Sequence, residues 1–224
     1  MSKIASAPVL APDDMVLSLS EISSLIYRAT RGAGYEWGEA EEAAYASVWL
    51  SRAGLDWAGT LLGLLSGARA DTPLPARGGW TASAPLCPLR TGMALADFAH
   101  LPEGPSAEPV VCIAVAHPLL IVPFAARVAA SLDRPMRLGW AGVEICLEPE
   151  QAPLIEGQLA ADKPVDVTLA CGDARRAMPI WPQFHREHLR NVQYRDLTDL
   201  ALRTTVPTSA RSQAGAGAAG GDND

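Results

Sequence analysis

The sequence predicts an α+β protein, in which an N-terminal helical unit packs on a small mixed sheet with helices. Three observations support this prediction. Apolar residues recur at helical spacing in the N-terminal part, short apolar runs rich in Val and Ile follow in the second half, and helical patterns separate these runs. Because strands and helices alternate in the second half, an α/β arrangement is the alternative.

The overall composition argues against several classes of protein, such as disordered, nucleic-acid-binding and membrane proteins. The chain has 224 residues, of which 49% are hydrophobic and 19% charged, so it is too apolar to be disordered throughout. Its net charge is −7, whereas nucleic-acid-binding proteins carry a basic surface that displaces counterions from phosphates. The sequence shows neither a secretory signal core nor a charge-free apolar segment of about 18 residues. We therefore expect a cytoplasmic protein that binds neither nucleic acid nor a membrane.

Composition and periodicity divide the chain into four predicted segments. An N-terminal arm and helical unit comes first, followed by a loop or linker rich in Pro and Gly. A layer of strands and helices follows, and the chain closes with a Gly-rich tail that has an acidic end. The predicted bounds of these segments are 1–66, 67–108, 109–207 and 208–224.

Three helices are predicted in the N-terminal unit. Ser18 and Glu21 fit a capping box, in which the serine oxygen accepts a hydrogen bond from a free amide and the glutamate reaches back. Apolar residues at helical spacing follow, until Gly32 and Gly34 offer the left-handed conformation that ends helices. The other two helices are predicted over residues 37–53, ended by Gly54, and over residues 55–65.

Alternating elements are predicted in the second half of the chain. Short apolar runs with β-branched residues predict strands at 110–116, within 138–147 and at 165–170. Helical spacing of apolar residues predicts helices at 124–132, 153–159 and 197–204.

The turn between the first two helices is the densest polar feature of the sequence. It contains Arg31 and Trp37 among glycines that let a ligand approach the backbone, and Glu41 and Glu42 follow in the second helix. The arginines expected to pair with these acids are Arg28, Arg31 and Arg52. Two interpretations stay open: a tight corner with surface ion pairs, each worth little, or a pocket that binds an anion.

The C-terminal tail combines a glycine-rich stretch with acids. Residues 215–220 match the letters GxGxxG, but neither a helix nor an acidic residue follows at the required distance, so no dinucleotide cofactor is expected. The tail is either flexible or an arm that docks into a site through Asp222, Asn223 and Asp224. Such oxygen ligands suit a divalent cation, and they equally suit pairing with arginines.

Histidine and cysteine offer weaker candidates. His185 and His188 have the spacing i, i+3 and predict either a metal site or a solvated turn. Cys171 and His117 each follow a predicted strand, where loops often carry function, and each is also explained by an ordinary turn.

Two blocks of the sequence together resemble one bacterial family that is described only as a domain of unknown function. The first is residues 19–55, with the letters RGAGYEWGEAEE, and the second is residues 203–224, with a final arginine, GAG and DND. The family has a serine or a Glu-Ser pair before that arginine, and Ser209-Ala210-Arg211 departs from this pattern. The resemblance implies no established activity, but it implies that the tail acids and Arg211 belong to a pattern.

These observations predict an enzyme, or a catalytic subunit, that acts on a small anionic metabolite. The residues predicted to be catalytic are Glu41, Asp222 and Asp224. The residues predicted to bind the anion are Arg28, Arg31, Trp37 and Arg211. A divalent cation is compatible with this set, and its identity stays open. The alternative is a non-catalytic accessory subunit of a metabolic enzyme complex. A homo-oligomer or a partner subunit is compatible with either interpretation.

Overall fold

The computed structural model describes residues 14–68, 70–174, 179–181 and 186–205. The helices in these residues are α1 (Leu19–Gly32), α2 (Trp37–Arg52), α3 (Trp57–Ser66), α4 (Pro88–Asp97), α5 (Val122–Leu132) and α6 (Asn191–Leu202), with a 3₁₀ helix at Pro118–Ile121. The strands are β1 (Met15–Ser18), β2 (Gly79–Trp80), β3 (Val110–Val115), β4 (Met136–Trp140), β5 (Val143–Leu147), β6 (Leu154–Glu156), β7 (Val165–Cys171) and β8 (Arg186–Leu189). The predicted α+β class is confirmed.

The main sheet has six strands in the order β2-β3-β7-β4-β5-β6. Only β2 and β3 pair in parallel, and the other neighbours are antiparallel. A separate pair is formed by β1 and β8, which run antiparallel. Because the sheet is mostly antiparallel, the alternating strands and helices of the second half do not build the parallel sheet that an α/β fold requires.

One hydrophobic cluster joins the helices to the sheet. It contains buried side chains from the N-terminal helices, such as Ile26 and Leu50, and from the sheet, such as Leu138 and Leu169. Helix α2 lies at its centre, since it contacts α1, α3, α4 and α5. In the part of the chain that the structure describes, no helix is long and apolar enough to cross a membrane.

Local signals at the ends of the first two helices act as predicted. The Ser18 hydroxyl accepts from the Glu21 amide at 3.3 Å, and a Glu21 carboxylate oxygen accepts from the Ser18 amide at 2.8 Å. Past the helix ends, Gly34 has a φ of +90° and Gly54 a φ of +69°, the conformations that glycine adopts at low cost.

The sequence suggests that Gly32 ends the first helix in the left-handed conformation, but in the structure Gly32 allows close helix packing. It is the last residue of α1, and a Cβ atom there would lie 1.8 Å from the carbonyl oxygen of Leu200 in α6. The absent side chain therefore lets the backbones of α1 and α6 touch. This contact places the end of α6 beside the corner between α1 and α2.

The helix predicted over residues 153–159 is wrong, since this segment contains strand β6. Leu154 and Ile155 pair with Cys146 and Ile145 of β5, so the segment closes one edge of the sheet. Gly157 then turns away with a φ of +100°. Pairing with the edge of β5 gives the backbone N–H and C=O groups of this segment their hydrogen-bond partners. This tertiary contact outweighed the helical spacing of the few apolar residues.

Other elements differ from the predicted bounds. The segment predicted as a loop over residues 67–108 holds β2 and α4, and α4 begins with Pro88, which suits the first turn of a helix. The last helix begins at Asn191, earlier than predicted, and β1 lies in a stretch that carried no strand signal of its own. Strand β1 exists because β8, far along the chain, supplies its partner.

Glu187 of β8 links the small sheet to α2 and should make stability depend on pH. The Ser51 hydroxyl donates to its carboxylate at 2.9 Å, but burial raises the pKa of Glu187 above its usual value. The folded state therefore favours the protonated form of Glu187. The stability that this protonated side chain contributes is lost as the pH rises through the raised pKa.

We expect Glu187→Gln to increase the free energy of unfolding at pH 7, because the neutral amide keeps an acceptor for Ser51. The gain should shrink below the pH at which an ordinary glutamate is protonated. Urea unfolding at several pH values measures this, with the exposed Glu108→Gln as the matched control. A gain that does not change with pH would contradict the role given to burial.

Candidate functional site

The corner between α1 and α2 fixes Arg31 in place. Its guanidinium donates to the carbonyl oxygen of Tyr35, and its Nη1 lies 3.8 Å from a carboxylate oxygen of Glu36. Its Cζ atom also lies 4.2 Å from the centre of the Trp37 ring, within the range of a cation–π contact. Trp37 nevertheless exposes 62% of its surface. The corner thus presents a positioned cation and an exposed aromatic ring side by side.

A cleft of about 460 Å³ opens at this corner. We call it the arginine cleft, and its lining residues are Tyr27, Arg28, Arg31, Trp37, Arg203 and Thr204. The structure thereby brings together three of the residues predicted to bind an anion. It adds Arg203, which sequence reasoning missed, because only the contact between α1 and α6 brings that residue to the corner.

The charges in the arginine cleft are incompletely balanced. Glu36 compensates Arg31, whereas neither Arg28 nor Arg203 forms an ion pair with any described residue. The Nε atom of Arg28 donates to the Ser24 carbonyl at 3.3 Å, so this side chain is partly oriented along α1. Guanidinium groups bind carboxylates and phosphates through paired hydrogen bonds, so the cleft suits an anion.

Glu41 does not line the arginine cleft itself. It lies with Tyr27, Arg28 and Tyr45 on a more open, adjacent cleft of about 690 Å³ between α1 and α2. Arg28 lines both clefts, and it therefore stands between the predicted acid and the predicted anion site. Glu41 is exposed on the surface of α2.

The ion pairs expected for the acids of α2 are wrong. Glu42 binds Arg127 of α5 through two hydrogen bonds of 3.0 and 2.8 Å, instead of an arginine of α1 or Arg52. Arg52 instead lies with its Cζ atom 5.2 Å from the centre of the Trp181 ring. No ion pair joins Glu41 to any of the residues that the structure describes. The packing of α5 on α2 decides these partners, and spacing along one helix does not reveal it.

A buried ion pair holds the start of α2. Glu39 accepts from Arg90 of α4 at 2.5 Å through one carboxylate oxygen and from the Glu36 amide at 2.7 Å through the other. The Glu39 side chain is only 8% exposed and that of Arg90 20%. Arg90 also reaches the Ala70 carbonyl and the Thr72 hydroxyl, each at 3.4 Å. The corner that carries the cleft is therefore fastened to α4.

Several predicted site residues lie outside the described part of the chain. They are Arg211, Asp222, Asn223 and Asp224 of the tail, together with His185. Cys171 is half-buried, and its thiol lies 3.5 Å from the Pro105 carbonyl. Among the described residues, no group of three or more His, Cys, Asp or Glu side chains is placed to hold a metal ion.

Comparison with known proteins finds one family model that matches part of the chain, and this family has no described activity. Residues 17–108 match a family described as "Protein of unknown function (DUF3726)". The predicted resemblance to a family of unknown function is thus confirmed over the helices that build the corner. The match includes Arg28, Arg31, Trp37 and Glu41, and it stops before Arg203 and the tail. No curated protein matches the sequence.

Two solved structures align weakly with the chain. Malate dehydrogenase from Entamoeba histolytica aligns with a TM-score of 0.47 at 10% identity, over 64% of this chain and 49% of that chain. Malate dehydrogenase from Pyrococcus horikoshii OT3 aligns with a TM-score of 0.47 at 12% identity, over 67% of this chain and 53% of that chain. This chain therefore spans about half the length of each, and a likeness at this level says nothing about its reaction.

Proposed function

We propose that the protein is a cytoplasmic enzyme, or a catalytic subunit, that binds a small anionic metabolite in the arginine cleft. The observation that supports this most directly is the set of three guanidinium groups around one cleft. Two of them, Arg28 and Arg203, have no carboxylate partner among the described residues. A ligand that carries a carboxylate or phosphate supplies the missing negative charge.

The three arginines have different tasks in this proposal. Arg31 is already held by Glu36 and by the Tyr35 carbonyl, so it contributes a fixed positive field. Arg28 and Arg203 are exposed, and they turn toward the anion when it binds. The exposed ring of Trp37 offers an apolar wall for the rest of the ligand.

The catalytic part of the proposal assigns acid–base chemistry to Glu41 in the adjacent cleft. It also assigns Asp222, Asp224 and Arg211 of the tail to the same site, where the carboxylates bind either a divalent cation or the arginines. The end of α6 supports this assignment, since Arg203 and Thr204 lie in the arginine cleft and the tail follows them along the chain. Asp222→Asn combined with Asp224→Asn should then remove any Mg²⁺ dependence of ligand binding.

Anion binding at the arginine cleft can be measured directly. Titration calorimetry with pyrophosphate and, separately, with succinate should detect saturable binding and tell which anion class is preferred. Arg28→Gln and Arg203→Gln should each weaken the preferred anion by about tenfold or more, because a hydrogen bond to a charged group contributes about 1.5–3 kcal/mol.

The matched control is Arg134→Gln, which removes an exposed arginine outside the cleft. It should bind the anion as the unchanged protein does. If Arg28→Gln and Arg203→Gln also bind like the unchanged protein, the arginine cleft is not the anion site.

A non-catalytic accessory subunit is the second candidate, favoured by apolar side chains on the surface. Trp37, Val192 and Leu202 expose 62%, 58% and 57% of their surfaces. Native mass spectrometry of the purified chain separates the two candidates. A chain that binds the anion without any partner supports the first, whereas a co-purified partner subunit that covers these residues supports the second.

A further inference from the structure

His117 lies between two clefts that are separate from the arginine cleft. The larger, of about 350 Å³, is lined in part by Asp56, Thr60 and Asp162. The smaller, of about 200 Å³, contains Lys163 and mostly apolar or backbone surface. His117 and Asp162 line both clefts, so one imidazole and one carboxylate are shared by the two cavities.

The backbone around His117 is unusual for non-glycine residues. His117 has a φ of +46° and a ψ of 60°, and it precedes Pro118, which disfavours helical conformations in the residue before it. Ala114, at the register shift of β3, also has a positive φ of 54°. Left-handed backbone at such residues costs about 1–3 kcal/mol, and strained positions of this kind cluster at functional sites.

The surroundings hold the imidazole in one place. A Cβ atom on Gly63 of α3 would lie 2.5 Å from the His117 Cε1 atom, so the ring occupies the space that a side chain at Gly63 would need. The ring also makes a hydrogen bond with the Gly63 backbone, and partial burial lowers the pKa of His117. The lowered pKa favours the uncharged imidazole. A neutral imidazole has one N–H that donates a hydrogen bond and one nitrogen whose lone pair accepts one.

The larger cleft presents acceptors and negative charge. Asp162 forms no ion pair with the described residues, and Asp56 uses one carboxylate oxygen to cap α3 by accepting from the Gly59 amide at 2.9 Å. Lys163, which follows Asp162 along the chain, lines only the smaller cleft. Two carboxylates and a neutral imidazole together call for a ligand that is positively charged and donates hydrogen bonds.

We propose that the larger cleft at His117 is a second small-molecule site, which binds a compound carrying a primary ammonium group. The ammonium donates hydrogen bonds to the accepting imidazole nitrogen of His117 and to the Asp162 carboxylate, which line the same cleft. The apolar side chains of Leu119 and Leu159, which line the same cleft, contact the carbon part of the ligand. This site is independent of the arginine cleft, so either one can exist without the other.

The test uses the full chain and the imidazole itself as the reporter. The protein has four histidines, so the Cε1–H resonances of all of them can be followed by NMR. Titration with ethylammonium chloride at pH 7.5 and constant ionic strength should shift the His117 resonance in a saturable manner, while that of His100 stays in place. The His117 resonance is the one that disappears in His117→Asn, a substitution chosen because asparagine tolerates the left-handed conformation.

Two comparisons distinguish a specific binding site from general electrostatic attraction of cations. Tetramethylammonium carries the same charge but has no N–H group, so it should leave the His117 resonance unshifted. Asp162→Asn changes an exposed side chain, so the fold should persist, and it should weaken ethylammonium by about fivefold, the upper value for an exposed ion pair. Asp97→Asn, at another exposed aspartate, should change nothing.

A shift of the His117 resonance that is absent or never saturates overturns the proposal. So does an equal response to tetramethylammonium, or an Asp162→Asn variant that binds ethylammonium unchanged. Failure of pyrophosphate to bind at the arginine cleft leaves this result untouched, because the two experiments report on different residues.

Discussion

Replacing Arg90 by methionine should lower the free energy of unfolding by about 3 kcal/mol, at the lower end of the range for breaking a buried ion pair. The reason is that the Glu39 carboxylate stays only 8% exposed and loses the guanidinium that compensates its charge. Methionine retains much of the volume of the arginine stem, so the loss reports on charge more than on packing. Urea unfolding at neutral pH measures the change.

The double variant Glu39→Gln with Arg90→Met is the control for this prediction. Glutamine still offers an oxygen to the Glu36 amide, so the start of α2 keeps its cap, and no buried charge is left. The double variant should recover a large part of the lost stability. If it is no more stable than Arg90→Met alone, the loss comes from packing and not from the uncompensated carboxylate.

Gly32→Ala should impair both stability and anion binding. The new Cβ atom would lie 1.8 Å from the Leu200 carbonyl oxygen, which is backbone and cannot rotate away. Helix α6 must therefore shift, at a cost of about 1–3 kcal/mol. Because Arg203 follows α6 directly, its guanidinium should move out of the arginine cleft, and binding of the preferred anion should weaken by about tenfold, as expected for Arg203→Gln.

Gly38→Ala is the matched control in the same corner. A Cβ atom on Gly38 meets nothing within 4 Å, and alanine is the better helix former, so this variant should be at least as stable as the unchanged protein. Thermal unfolding and titration with the preferred anion measure both variants. A Gly32→Ala protein that binds this anion normally would show that the position of α6 does not shape the cleft.

The parts of the fold that were predictable depend on short-range signals. The capping residues Ser18 and Glu21 start α1, and the positive φ at Gly34 and Gly54 follows the ends of the first two helices, because these features act within one turn of helix. The corner with Arg28, Arg31 and Trp37 was found for the same reason. Sequence proximity alone places these side chains around one turn.

The missed features all depend on contacts between distant parts of the chain. Arg203 reaches the cleft only because Gly32 lets α6 touch α1, and Arg90 meets Glu39 only because α4 packs on α2. Strand β6 likewise needs the edge of β5. Periodicity reports which face of an element is apolar, but not which element covers it.

The contact between α1 and α6 also determines when the protein can complete its folding during synthesis. Helix α1 ends at Gly32, and the helix that covers it does not begin until Asn191, so the ribosome must add all intervening residues before the two can meet. Until then the apolar face of α1 lacks that cover, and such exposed surface is what chaperones bind. Closing so long a stretch of chain is slow. The arginine cleft is thus among the last features to form, and a nascent chain should acquire anion binding only after α6 has left the ribosomal tunnel.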